Sequence, residues 1–104
     1  MRICISEEFS ETPGARYKCE GDNSGEEFRE SMLIPRYRDA RRLNEKLLVD
    51  LDGSYGYPTS FLDEAFGGLA RIFGSDEVLD TLEFKSEDEP SLVKDIHNYI
   101  LGKK

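Results

Sequence analysis

Thr59 and Ser60 stand where a strand-like run and a glycine- and tyrosine-rich loop give way to a helical pattern, and Asp63 and Glu64 follow within one turn. A helix that opens there exposes backbone N–H groups and the positive end of its dipole. A helix start beyond a strand's carboxyl end is a common place for a binding surface. Tyr55 and Tyr57 sit just ahead, in GSYGYPT, and tyrosine gives large contact area at low entropic cost. The chemistry these groups support is recognition. Each also has a plainer use: Ser60 with Asp63 is a helix-capping pattern, and acids in a first turn favour the dipole unaided. Groups for other chemistries are missing. The sequence has no G-x-x-x-x-G-K-[ST] and no G-x-S-x-G, and its two cysteines and one histidine make a poor zinc site. His97 has no companion ligand or nucleophile and reads as structural.

Asp50-Leu51-Asp52-Gly53-Ser54 is similar to the first motif of haloacid-dehalogenase-type phosphatases. That resemblance implies Asp50 as nucleophile, Asp52 as acid/base, and Mg²⁺ bridging the nucleophile and the phosphate. The family places this motif near the start of a larger doubly wound domain, with further motifs downstream. Here only 52 residues follow Asp52; Lys85 alone could serve as the lysine, and no acidic pair follows at a strand end. The plainer reading has both aspartates end a strand and hydrogen-bond the next loop. A Mg²⁺-dependent phosphohydrolase is therefore the alternative, and a binding module that is not an enzyme is the expectation.

Several elements must position these residues. Residues 2–8 and 15–20 read as a hairpin around the turn-rich 10–14. Ser24 and Glu27 form a capping box opening a helix, which Pro35 should kink or divide. KLLVDLD, 46–52, reads as a buried strand. Ser60 then caps a helix carrying Leu62, Ala65, Phe66, Leu69, Ile72 and Phe73 at helical spacing, ended by Gly74. Gly67-Gly68 within it costs about 1 kcal/mol per glycine against alanine, so a close approach to the sheet or a neighbouring helix should compensate. Residues 81–85 alternate as a strand, 85–89 form a turn, and 90–101 form the last helix. The order is β-β-α-β-α-β-α, which calls for a mixed sheet of about four strands with helices mainly on one face.

The 104 residues make one domain, 1–104, with net charge −8. Residues 1–46 carry nine basic and ten acidic side chains, and 47–104 carry five and twelve. The acidic half disfavours phosphate backbones, so nucleic acid is not an expected partner. Arg36, Arg38, Arg41, Arg42 and Lys46 cluster beside it, either as a solvated helix face or as a docking patch for an acidic partner or phosphate. No apolar run is long enough to span a membrane, and MRICISEEF lacks the layout of a signal peptide, so a cytoplasmic location is expected. In the hairpin Cys4 would point outward and Cys19 inward, which leaves both thiols free. No cofactor is expected.

From Ser24-Gly25-Glu26-Glu27-Phe28-Arg29 through VDLDG to SFLDEAFGGL, the chain resembles the STAS-like family of unknown function, relatives of the STAS domains of anti-sigma-factor antagonists. The resemblance implies a small STAS-type α/β sandwich and a regulatory, protein-binding role. In the antagonists the matching helix opens with D-S-S-G. A serine there is phosphorylated by a partner kinase of the histidine-kinase-like ATPase fold, which switches the complex off. By position Thr59 and Ser60 of Pro58-Thr59-Ser60-Phe61 fall on the two serines, without the preceding aspartate and the following glycine. The resemblance thus implies Thr59 and Ser60 as the regulated hydroxyls and a histidine-kinase-like ATPase as partner; with the loop tyrosines and the first-turn acids, the expected partner surface is Tyr55, Tyr57, Thr59, Ser60, Asp63 and Glu64.

Overall fold

The computed structural model describes residues 1–103. Its strands are β1 (Arg2–Cys4), β2 (Leu47–Asp50) and β3 (Leu82–Lys85), all parallel, in the order β1-β2-β3. Ile3 lies opposite Val49, and Val49 opposite Phe84. Parallel neighbours need crossovers, and both step the same way across the sheet. Right-handed connections therefore put both sets of helices on one face. On that face Ile3, Leu47, Val49 and Leu82 are buried, whereas Arg2 and Glu83 on the other face are exposed.

The helices are a short α1 (Ile5–Glu8), α2 over 25–43, α3 over 59–73, α4 (Ser75–Thr81) and α5 (Ser91–Ile100). The small α/β architecture is as expected, but the described residues form a three-stranded parallel sheet rather than a four-stranded mixed one, and no hairpin among them. Residues 15–20 form a loop ending in a 3₁₀ turn, Lys18–Glu20. The reason lies in α2, whose first N–H groups need acceptors. The carbonyls of Ala15 and Arg16 accept from Gly25 and Glu26 N–H, at 2.9 and 3.0 Å. Ser24 Oγ accepts from Glu27 N–H, as its sequence pattern predicts. The would-be second strand therefore caps a helix, and β1 pairs with β2 instead. Cys4 does face away from Ile3 but is buried, and Cys19 is exposed rather than inward; both thiols are free.

Each long helix contains one π turn. In α2 it is Arg29–Leu33, just ahead of Pro35, with Ile34 N–H donating to Arg29 C=O. A proline lacks the N–H that would continue the ladder and crowds the preceding turn, and a wider turn relieves that crowding. The helix is widened rather than divided. In α3 the π turn is Asp63–Gly67, and the two π turns pack together. The glycines make this possible: a Cβ on Gly68 would lie 2.5 Å from Arg29 Nη1, and one on Gly67 would lie 3.2 Å from Tyr99 C=O of α5. Phe28, Phe61 and Phe66 fill the space between these helices and the sheet.

Candidate functional site

β2 and β3 end side by side, and the loops that leave them form a concavity at the carboxyl edge of the sheet. The register aligns Cys4, Asp50 and Lys85 on the face turned away from the helices. Asp50 is only 4% exposed. One of its oxygens accepts from Arg2 at 2.5 Å and the other from Asp52 N–H at 3.0 Å, with Lys85 Nζ 3.9 Å away. Asp52 accepts from Asp88 N–H at 2.9 Å and from Lys85 at 3.0 Å. Asp88 in return accepts from Gly53 N–H at 3.0 Å, so the two loops clasp each other. These bonds, led by that from Asp88 N–H, hold the Asp52 carboxyl below its ordinary range. Lys85 is shifted upward by its bonds to Asp52 and Glu87.

The tyrosine loop is held at several points. Ser6 Oγ donates to Asp52 C=O at 3.0 Å. Gly53 takes φ +93° there, where a Cβ would meet Ser6 Oγ at 2.7 Å. Tyr55 N–H donates to Glu11 C=O at 2.9 Å, and Tyr57 OH donates to Leu51 C=O at 2.8 Å. Burial pushes the Tyr57 hydroxyl up to about 12, which keeps it a neutral donor. The Tyr55 side chain stands out from this fixed loop, and the residue is 84% exposed. A cavity of about 170 Å³ opens between the loops, bounded by Leu51, Tyr55, Tyr57, Asp88, Glu89 and Leu92.

The helix start differs from the sequence expectation in one respect. α3 begins at Thr59 with Pro58 as its N-cap, and no side chain caps it. Ser60 lies inside the first turn, half-buried, while Thr59 is exposed. Asp63 and Glu64 are buried. Arg16 reaches Asp63 at 2.8 Å, Arg29 reaches Glu64 at 2.6 Å, and Arg71 stands 3.8 Å from each acid. The structure thus brings Tyr55, Tyr57, Thr59 and Ser60 together around one loop and helix start, and places Asp63 and Glu64 in an internal ionic cluster.

The basic cluster has partners inside the chain. Arg36 pairs with Glu8 at 2.7 Å and donates to Arg2 C=O, while Glu8 accepts from Cys4 N–H, so this pair covers the free edge of β1. Arg41 bonds Thr81, Arg42 bonds Asp39, and Lys46 bonds the Asp80 carbonyl. Arg38 lies over the Phe73 ring at 5.8 Å. His97 packs against the Phe84 ring, in keeping with a structural role. Sequence reasoning treated 85–89 only as a turn and so missed Asp88. The available signal was an acidic run leaving a strand whose neighbour also ends in acids.

A three-stranded parallel sheet with both crossovers on one face defines a small α/β domain of STAS-like type. The chain belongs to the STAS-like domains of unknown function (DUF4325), whose family model matches residues 24–92, from the Ser24 cap to the first turn of α5. No curated protein and no solved structure matches it.

Proposed function

We propose that this STAS-like domain is a cytoplasmic regulatory module that acts by binding a protein partner through the loop over residues 53–58 and the exposed start of α3. The observation that carries the reading is Tyr55: a large aromatic side chain, 84% exposed, on a loop whose backbone is fixed by Glu11, Asp88 and Ser6. A preorganised loop binds without a large ordering cost. Tyr57, Thr59 and Ser60 complete the surface, while Asp63 and Glu64 support it from within. The acidic balance of the chain argues against nucleic acid. No helix among the described residues is long and apolar enough to cross a membrane.

The family resemblance suggests a histidine-kinase-like ATPase as the partner and phosphorylation as the switch. Of the two hydroxyls Thr59 is the accessible one, at an uncapped helix start where added negative charge is tolerated by the dipole. Asp50 and Asp52 are read as structural, because both oxygens of Asp50 are engaged. Capture experiments with the tagged wild type, Tyr55→Ala and Thr59→Asp test the proposal. The wild type should retain an ATPase of that class, and both variants should lose it while melting as the wild type does. Equal capture by all three would place the working surface elsewhere.

A further inference from the structure

The cavity between the two carboxyl-edge loops has a size and lining that narrow what can enter it. Its volume is about 170 Å³. Pockets for drug-sized molecules begin near ~300 Å³. Liquid water takes ~30 Å³ per molecule, so this space suits the end of one side chain rather than a nucleotide. Leu51, Leu92, Tyr55 and Tyr57 line it together with the hydroxyl residues Ser54 and Ser86.

The charge around it has one sign. Asp88 and Glu89 line the cavity, and no lysine or arginine does. Lys85, the cation on the adjoining strand end, is bound to Asp52 and Glu87. Asp88 is held in place by its bond from Gly53 N–H, and among the described residues neither Asp88 nor Glu89 has an ion-pair partner. Carboxylates beside tyrosines, one of them held in place, favour a cation twice over, through charge-assisted hydrogen bonds and through the ring quadrupole. From this geometry we infer that the cavity takes one cationic side chain, an arginine, from the protein partner. The inference rests on the reading above that this loop faces a partner. Arginine is preferred to lysine because its plane can lie on a tyrosine face while its fork meets a carboxylate. The acids stand at the surface of the free domain, and a covering partner would exclude water and strengthen the contact.

A titration of ¹⁵N-labelled domain with N-acetyl-arginine N-methylamide tests the cavity by itself. The norleucine analogue serves as a neutral control of similar shape. Saturable shifts are expected at amides of residues 51–57 and 86–92. They should weaken about tenfold in Glu89→Gln, as expected for loss of a charge-assisted bond. Asp88→Asn, which retains an acceptor for Gly53 N–H, should weaken the probe likewise, with thermal melts confirming that both variants fold. Absence of saturable shifts, equal shifts with the norleucine probe, or undiminished binding by both variants would overturn the inference. Its failure is separable from failure of the surface reading. No probe binding, with partner capture still lost in Tyr55→Ala, removes the arginine anchor alone; probe binding with capture indifferent to Tyr55 overturns the surface reading and, with it, the partner as the source of the cation.

Discussion

Arg29 Nη1 donates to both the carboxylate and the backbone carbonyl of Glu64, each at 2.6 Å, and so ties the π turn of α2 to the π turn of α3. Both side chains are largely buried, 12% and 11% exposed. Removing one partner of such a pair leaves a charge stranded, which typically costs ~3–5 kcal/mol. Glu64→Gln, which strands Arg29, should lower the unfolding free energy read from urea melts by an amount in that range, and Arg29→Met should cost less, because Arg16 and Arg71 still face Glu64. The double variant should cost less than the two together. Additive losses would show that the two residues do not act as a pair.

The glycines at this junction should rank by what surrounds them. A Cβ on Gly25 would meet the Phe61 carbonyl oxygen at 2.5 Å, a backbone atom that cannot swing aside. On Gly68 the close atoms belong to the Arg29 side chain. Alanine gains about 1 kcal/mol of helix propensity at interior sites such as Gly68, while overpacking costs ~1–3 kcal/mol. Gly25→Ala should therefore be the more damaging and Gly68→Ala the milder, as read from thermal melts. A stabilised Gly25→Ala would mean that α2 and α3 are not in contact there.

The two thiols should differ in reactivity. Cys19 is exposed and Cys4 is buried beside Ser6. A thiol reagent should label one cysteine in the native domain and two after unfolding without reductant. Labelling of Cys4 under native conditions would mean that the β1 edge opens readily.

The arrangement at Asp50 predicts no phosphatase turnover. The Asp50 oxygens that would attack a phosphate and hold Mg²⁺ already accept from Arg2 and Asp52 N–H. With Mg²⁺ and a panel of phosphate esters, the wild type should match an Asp50→Asn control. Turnover lost in that control would restore the phosphohydrolase reading.

Periodicity carried the central part of the fold. β2, β3, α2, α3 and α5 fall close to where their apolar spacing puts them, since those patterns are local and repeated. The hairpin failed because the alternation in 15–20 says nothing about which groups its backbone will bond, and α2 claimed two of its carbonyls. α4 was missed because Gly74 was read as a terminator, yet at φ +97° it also lets Ser75 begin another helix at once. At the site, the loop and its tyrosines were legible. The burial of Asp63 and Glu64 was not, because their partners Arg16 and Arg29 lie far away in sequence.

The clasp between Asp52 and Asp88 gives the binding loop a pH dependence whose sign can be worked out. The bond from Asp88 N–H, with that from Lys85, lowers the Asp52 carboxyl in the folded state. A carboxyl lowered on folding stabilises fully above its unfolded value, about 3.9 for aspartate, and loses that contribution as pH falls through the folded value. Glu8 acts the same way, through Cys4 N–H and Arg36. The melting temperature should be level from neutrality to about pH 5 and fall below about pH 4. Asp52 is near solvent, so the change is modest, and its cleaner signature is local. The Gly53 and Asp88 amides should exchange faster on acidification, relative to their intrinsic rates, and before core amides such as Val49 do. Asp52→Asn should raise Asp88 amide exchange at neutral pH and remove most of its acid response. An unchanged acid response in that variant would assign the pH sensitivity to Glu8 and the β1 edge instead.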